Sequence, residues 1–450
     1  MTTTEQPGNR EVVEVALEAA PAVVTVAGRA VRLLTYNAAF PGPLLRFREG
    51  DRVRVRLTNR LGEPTNLHLH GLHIPPDVDD PLRLVDHGDT ATYEFDVAPG
   101  SAGLYWYHPH AHGRVAPQLF GGLAGPLVID GPHEPVPAVD EHVIVLKDLA
   151  LSGDAVEPHT ADDWLNGKEG DLVLVNGLRE PRLDAPSGTV RLRLVNACNA
   201  RYFLLAVEGH TMTVLGAGVG LAEEPTDVDT LLLAPGERAD VLVSLRHTED
   251  VGLLTLPYDR GHDMSGMDSM ASGHGAHGGH HGAGGRLGND APVSLATLHA
   301  TEVAPPPELP ARLASLPAHE LAGATRRRIV LSEAMGDGPV RFLLNGHAYE
   351  HGRIDFRSRR GTAEVWEIVN DADMDHPFHV HVFPFVVLTR DGEPEAVRMW
   401  RDTVNLAAGE RTEILIPFDD FTGPVMYHCH IVEHEDRGMM GMFEVVPDET

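Results

Sequence analysis

Four pairs of histidines, each separated by a single residue, are the first feature of this sequence that could do chemistry. The chain has 27 histidines, and the pairs are His68/His70, His108/His110, His379/His381 and His428/His430. Successive side chains of a β-strand point to opposite faces, so both imidazoles of such a pair lie on one face. Imidazole is a common ligand of copper and zinc. Eight imidazoles from equivalent positions predict a cluster of about three metal ions.

The same alternation gives Cys429 a different task from its neighbours. If His428 and His430 face the cluster, Cys429 faces the other way, where His376, His434 and Met439 can join it. Two histidines, a thiolate and a weak thioether are the ligands of a blue-copper electron-transfer site. Zinc takes closed sets of four ligands and does no redox chemistry, so it fits this combination badly. The residues therefore predict copper.

A repeated strand motif shows which elements must position these residues. GDRVRVRLTN ends at Asn59, SGTVRLRLVN at Asn196 and GTAEVWEIVN at Asn370. Their shared apolar alternation predicts strands in three homologous domains. A histidine pair follows the first and third copies, whereas the middle copy has Leu205 and Val207 at those positions. The cluster should therefore lie between the first and third domains, with the middle domain as a spacer.

The short alternating segments, with 46 glycines and 34 prolines, predict an all-β chain. We predict a first domain at residues 1–135, a second at 136–300, a Pro-rich linker at 301–322 and a third domain at 323–450. The second domain carries a Met-, His- and Gly-rich insert at about residues 262–285, which predicts a mobile loop. In the first domain Pro109 stands where the third has Cys429, so we predict one blue site per chain.

Composition excludes several classes of protein. A net charge of −30 disfavours nucleic acid as a partner and favours the attraction of cations. No apolar run approaches the roughly 20 residues that span a bilayer. The first residues lack a secretory leader, which predicts either an intracellular protein or a mature form. The two cysteines are far apart and suggest no disulfide framework, and Cys198 is interpreted as an ordinary buried thiol.

Several segments together resemble the three-domain multicopper oxidases, in particular the bacterial laccases and the cuprous oxidases. They are YNAAFPGPLLRFREGD, NLHLHGLHIP, GLYWYHPHAHG, APGERADVLV, DHPFHVHVFPF and HCHIVEHEDRGMM. The resemblance implies three consecutive cupredoxin-like Greek-key β-barrel or sandwich domains and four copper ions per chain. Its implied ligands are His376, Cys429, His434 and Met439 for type 1 copper; His68 and His379 for type 2 copper; and His70, His108, His110, His381, His428 and His430 for the type 3 pair.

Two acids also match the family pattern. The resemblance implies that Asp79 is a carboxylate near the type 2 copper, although the adjacent Asp80 could serve instead. It implies that Glu435 delivers protons, which dioxygen reduction consumes. The insert has two open interpretations, a Cu(I)-capture segment or a loop that binds metal only incidentally. Its candidate ligands are His262, Met264, Met267, Met270, His274, His277, His280 and His281.

The resemblance predicts an enzyme that couples one-electron oxidation of phenols or aromatic amines, as laccases do, to reduction of dioxygen to water. Oxidation of Cu(I) in copper homeostasis is the alternative. A copper-binding electron carrier would need no eight further histidines, and a copper nitrite reductase would lack the full set of pairs. We expect electrons to arrive through an exposed edge of His376 or His434, with Met374 and either Asp373 or Asp375 lining the approach.

Overall fold

The computed structural model describes residues 12–261, 291–316, 323–334 and 340–448. Within these ranges the regular structure is 33 strands and three short helices, which confirms the all-β prediction. No helix in the described ranges is long and apolar enough to cross a membrane.

The elements follow one another in three groups. The first group is β1 (Val12–Val26), β2 (Arg29–Tyr36), β3 (Leu45–Arg48), β4 (Arg52–Asn59), β5 (His68–His70), β6 (Thr90–Asp96), β7 (Gly103–His108), α1 (Val115–Phe120) and β8 (Gly125–Asp130). The second is β9 (Asp140–Leu149), β10 (Leu151–Ser152), β11 (Ala155–Val156), α2 (Ala161–Asn166), β12 (Leu172–Val175), β13 (Arg182–Asp184), β14 (Thr189–Asn196), β15 (Phe203–Val207), β16 (Met212–Gly216), β17 (Leu221–Val228), β18 (Leu231–Leu233), β19 (Arg238–Ser244), β20 (Val251–Leu256) and β21 (Val293–His299). The third is β22 (Thr325–Ala334), β23 (Arg341–Leu344), β24 (Phe356–Arg359), β25 (Thr362–Asn370), β26 (His376–Val380), β27 (Phe385–Arg390), β28 (Glu393–Pro394), β29 (Trp400–Arg401), β30 (Thr403–Leu406), β31 (Arg411–Phe418), β32 (Gly423–Cys429), α3 (Val432–Asp436) and β33 (Met440–Val446).

Each group builds two sheets that enclose a core of its own. The sheets of the first group run β10-β11-β2-β1-β4-β6 and β3-β8-β7-β5, so the short hairpin β10–β11 crosses over from the second group. Those of the second run β12-β9-β14-β19-β16-β17 and β13-β21-β20-β15-β18. Those of the third run β23-β22-β25-β31-β27-β28 and β24-β33-β32-β26-β30. The predicted domain limits stay a prediction.

The asparagine that ends each repeated strand makes the same hydrogen bonds in all three groups. β4, β14 and β25 each end at this residue and each pair in parallel with the first long strand of their group. The Asn59 side chain donates to the carbonyls of Glu63 and Val85 and accepts the amide of Leu61. Asn196 and Asn370 make the equivalent three contacts. The Asn side chain can donate to two backbone carbonyls and accept from a backbone amide at the same time. Because buried backbone groups require such partners, this explains why the motif uses Asn.

In each group the turn at this asparagine leads to the strand at the position where the outer groups carry a histidine pair. In the first group the chain enters β5, which pairs with β7 so that His68 opposes His108. In the third it enters β26, which pairs with β32 so that His379 opposes His428. In the second it enters β15, where Leu205 and Val207 are buried in the apolar core.

Candidate metal centres

The eight paired histidines come together between the first and third groups, as the sequence predicts. None of them is more than 3% exposed, although they come from two pairs of strands more than 250 residues apart in the chain. Three sets of ligand atoms each lie within 4.8 Å of one another, and every set draws on these histidines: His68, His70 and His108; His68, His379 and His381; His110, His381 and His428.

Two groups of imidazoles face each other in this cluster. The Nε2 atoms of His110, His381 and His428 are 3.1–3.2 Å apart, close enough to share one ion. On the other side, the Nδ1 atom of His70 is 3.4 Å from His108 Nε2. The ring of His430 packs 5.0 Å from that of His70, between centroids. The arrangement agrees with two neighbouring sites of three imidazoles each.

The ring nitrogens of this cluster have the properties that a metal requires. Among the described residues, His68 Nε2, His379 Nε2 and both nitrogens of His430 are buried without a hydrogen-bond partner. Burial, followed by the neighbouring imidazoles, lowers the pKa of His68 and His430 well below the usual range. Burial also lowers the pKa of His379 to about 4. Neutral imidazoles with unpartnered buried nitrogens are suited to hold metal ions, and they fit copper.

Asp79 links histidines from the two outer groups. His68 Nδ1 donates to Asp79 Oδ1 over 2.8 Å, and His381 Nδ1 donates to Asp79 Oδ2 over 3.0 Å. Such a carboxylate fixes the ring orientation and leaves the opposite nitrogen free for a metal. The adjacent Asp80 instead accepts the backbone amide of Leu82. Of the two acids that the sequence left open, the geometry therefore favours Asp79.

A second buried carboxylate beside the cluster, Asp402, was missed by the sequence reasoning. His70 Nε2 donates to its Oδ1 over 3.1 Å, and His379 Nδ1 donates to its backbone carbonyl over 2.8 Å. Burial alone would raise the pKa of Asp402, but Arg238 and His70 outweigh it and hold that pKa well below the usual range. Arg238 lies in the segment APGERADVLV, which carries the family resemblance but had suggested no role.

The second site forms on the opposite face of β32. His376 Nδ1 lies 3.3 Å from Cys429 Sγ and 3.4 Å from His434 Nδ1, and the three side chains are fully buried. Met439 is buried in the same core cluster, and its carbonyl accepts the amide of Cys429 over 3.0 Å. Burial raises the pKa of the Cys429 thiol, so a bound metal would have to displace its proton. Three of the four predicted type 1 residues therefore converge, and the fourth, Met439, lies in the same core.

The outer edges of the two histidines differ from the prediction. His434 Nε2 donates to the carbonyl of Leu165 over 3.0 Å, and the ring of Phe342 stacks on the imidazole at 3.9 Å. His376 Nε2 lies 3.5 Å from Glu333 Oε1 without hydrogen-bond geometry. Both histidines are 0% exposed, so the expected exposed edge is wrong. The reason is tertiary: Leu165 comes from the middle group of elements and closes over the site.

The residues expected to line the electron approach are only partly at the surface. Asp373 is exposed, whereas Met374 and Asp375 are buried. The Asp375 carboxylate accepts a hydrogen bond from Asn405 over 2.8 Å and another from Tyr258. The candidate Cu(I) ligands of the insert lie outside the described residues. They are His262, Met264, Met267, Met270, His274, His277, His280 and His281.

Glu435 lies between the two sites on helix α3. It directly follows His434, is fully buried, and places its Oε1 3.3 Å from His110 Nε2 and its Oε2 3.2 Å from His428 Nδ1. Neither contact has hydrogen-bond geometry. Burial raises the pKa of Glu435 well above the usual range, and the nearby Asp436 and Glu433 add to this shift. An acid of this kind can carry a proton at neutral pH.

Comparison with known proteins agrees with this geometry. Family models described as "Multicopper oxidase" match residues 18–134, 141–252 and 321–449. The chain is 32% identical over 424 residues to "Multicopper oxidase mco" of Staphylococcus haemolyticus, covering 92% of this chain and 83% of the relative. It is 31% identical over 437 residues to "Cell division protein FtsP" of Edwardsiella tarda, covering 93% and 87%.

A similar solved structure gives the same result for the whole architecture. The multicopper oxidase from Campylobacter jejuni, described as a metallo-oxidase, has a TM-score of 0.85 and 30% identity to this chain. The likeness covers 99% of this chain and 93% of that one. The predicted three-domain cupredoxin-like fold is thereby confirmed.

Proposed function

The chain belongs to the multicopper oxidase family, and we propose that it couples the one-electron oxidation of a reducing metal ion, Cu(I), to the reduction of dioxygen to water. Four Cu(I) and four protons would convert one dioxygen into two waters and four Cu(II). The observation that carries the proposal is the pair of ligand sets on opposite faces of β32, one of Cys, His and Met and the other of histidines alone.

The ligand assignment that we propose is the one implied by the sequence resemblance. His376, Cys429, His434 and Met439 would hold one copper ion, and the eight paired histidines would hold three more. Bound copper would supply the one-electron redox chemistry that these side chains lack. The chain itself would connect the two sites, because Cys429 is joined through the backbone to His428 and His430.

The surrounding residues support the second half of the reaction. Glu435 reaches towards His110 and His428, which supports a role in handing protons to the cluster. Asp79 orients His68 and His381, so the opposite nitrogens of the two rings would stay directed at bound copper. The complete burial of the cluster excludes bulk water, which strengthens electrostatic interactions inside it.

Cu(I) is favoured as donor because, among the described residues, oxygen atoms meet the outer edges of the type 1 histidines. The carboxylate of Glu333 faces His376, and the carbonyl of Leu165 covers His434. Both groups favour a small cation over a phenol ring, as does the net charge of −30. The similar structure from Campylobacter jejuni is described as a metallo-oxidase. Laccase-like oxidation of phenols is the competing proposal.

Oxygen uptake by the copper-loaded protein tests the proposal. We expect uptake with Cu(I) at a stoichiometry of four donors per dioxygen, and a larger kcat/KM for Cu(I) than for 2,6-dimethoxyphenol. The matched control is Cys429→Ser, which should remove uptake with both donors. A larger kcat/KM for the phenol would establish the laccase-like function instead. The absence of uptake with either donor would overturn the oxidase proposal.

The relative named as a cell division protein raises a second candidate, a role in cell division. The candidate metal-binding groups favour the oxidase, because a purely structural role needs no unpartnered buried imidazoles. The same oxygen-uptake measurement separates the two candidates.

A further inference from the structure

Among the residues that the structure describes, the middle group of elements supplies no histidine to the cluster, yet one of its arginines reaches it. Arg238, at the start of β19, is 2% exposed. Its Nη1 donates to Asp402 Oδ1 over 2.6 Å, and its Nη2 donates to Asp402 Oδ2. Its Nε donates to the carbonyl of Leu104, in the first group of elements, over 3.3 Å. One side chain therefore touches all three groups next to the candidate copper cluster.

The carboxylate that Arg238 holds orients imidazoles from both outer groups. Asp402 accepts His70 Nε2 through its side chain and His379 Nδ1 through its backbone carbonyl. Thr403 Oγ1 also donates to Asp402 Oδ1, over 2.7 Å. A ring nitrogen fixed in this way sets the direction of the opposite nitrogen, which is the one available to a metal.

Two glycines leave room for this ion pair. Gly71, with φ of +86°, directly follows His70, and a Cβ there would collide with Asp402 Oδ2 and lie 2.6 Å from Arg238 Nη2. Gly218, with φ of +95°, would place a Cβ 2.6 Å from Arg238 Nε. Both positions have the left-handed backbone that favours glycine. The local backbone thus accommodates a bidentate pair inside the protein.

Both oxygens of Asp402 are occupied by the guanidinium. The carboxylate faces Nε2 of His70, across the ring from Nδ1, which points towards His108 in the cluster. Asp79, on another side of the cluster, is held by two imidazoles instead.

We propose that Arg238 is a positioning residue of the copper cluster: it holds Asp402 as the hydrogen-bond acceptor of His70 and thereby fixes the direction of the His70 nitrogen that is available to copper. The proposal rests on the copper cluster of the proposed function. It gives the middle group a part in the chemistry beyond that of a spacer.

The test uses Cu(II) as the probe in the full chain and reads the electron paramagnetic resonance spectrum, copper content and copper affinity. Arg238→Met removes the guanidinium and keeps an unbranched side chain. We expect an altered cluster hyperfine pattern and a lower cluster copper affinity, because Asp402 no longer fixes the rings of His70 and His379, together with an unchanged blue absorption from the Cys429 site. Adding Asp402→Asn to this variant should change the pattern little further, because both substitutions disrupt the same set of contacts.

Matched variants distinguish positioning from general destabilisation. Arg191→Met breaks another buried bidentate arginine–aspartate pair of the middle group, with Asp240, and should leave the spectrum unchanged. Arg238→Lys keeps the charge but loses the fork, so its spectrum should fall between those of wild type and Arg238→Met. Asp402→Asn alone should lower cluster copper affinity about 10–100-fold and alter the spectrum in the same direction as Arg238→Met.

The outcomes separate this inference from the function on which it rests. A wild-type chain that takes up no cluster copper would overturn both. A loaded wild type with an unchanged Arg238→Met spectrum, or an equal change in Arg191→Met, would overturn the inference alone. If Arg238→Met fails to fold, Arg238→Lys and Asp402→Asn decide: unchanged spectra and copper affinities in both contradict the positioning role.

Discussion

The segments Tyr-His-Pro-His at residues 107–110 and Tyr-His-Cys-His at 427–430 are two versions of one device. Each closes a strand, β7 or β32, that pairs with the strand carrying the other histidine pair of its group. Both send two imidazoles into the same cluster. In both, the first histidine donates through Nδ1 to the carbonyl of the central residue, at 2.9 Å for Pro109 and 2.8 Å for Cys429. The face towards the cluster is therefore duplicated.

The opposite faces of the two segments have diverged. In the third group Cys429 meets His376 and His434. The corresponding positions of the first group, three residues before its first pair and four after its second, are Thr65 and Arg114. Thr65 donates to Gln118 over 2.7 Å, and Arg114 pairs with Glu63. The comparison teaches that the backbone presents histidines to the cluster twice, whereas the side chains on the face away from the cluster differ, and those of the third group match the proposed type 1 site.

Cys429→Ser should have the largest effect, because it removes the thiol that distinguishes the segment at residues 427–430 from the segment at residues 107–110. We expect the intense blue absorption to disappear and turnover with either donor to fall to background. Visible spectra and oxygen uptake measure the change, with copper analysis to show that the cluster stays loaded. A blue protein after this substitution would contradict the assignment of Cys429.

Glu435→Gln addresses a second difference between the two segments. Five residues after its last histidine, the segment of the third group is followed by Glu435, whereas that of the first group is followed by Val115. We expect turnover to fall roughly 100-fold or more through loss of proton transfer. Bleaching of the blue colour by the donor without oxygen, measured by stopped flow, should keep its wild-type rate. Slower bleaching would mean that Glu435 acts on electron arrival instead.

Asp79→Asn breaks the bridge between the two segments' partner strands, because Asp79 holds His68 of the first group and His381 of the third. We expect cluster copper affinity to fall about 10–100-fold, measured by competition with a chelator. Asp80→Asn is the matched control, since Asp80 contacts a backbone amide instead. Equal losses in the two variants would argue that local charge, rather than ring orientation, is responsible.

The sequence predicted those features that depend on spacing along one strand. Alternation placed Cys429 opposite His428 and His430, and the repeated asparagine located the strands that carry the other pairs. It could not predict Arg238 or Asp402, which are 164 residues apart and belong to no short motif of metal ligands. It also missed Leu165 over His434, because that contact depends on how α2 packs against α3.

Pro109→Cys should have the smallest effect, and it asks whether a cysteine alone can turn the first segment into the third. The hydrogen bond from His108 uses the carbonyl of residue 109, so it survives any side chain at this position. A blue site needs two imidazoles beside the thiolate, whereas Thr65 and Arg114 offer a hydroxyl and a guanidinium already engaged elsewhere. We therefore expect unchanged turnover, copper content and visible spectrum. A second blue band would show that the far face of the first segment can recruit ligands from elsewhere, and that cysteine alone separates the two segments.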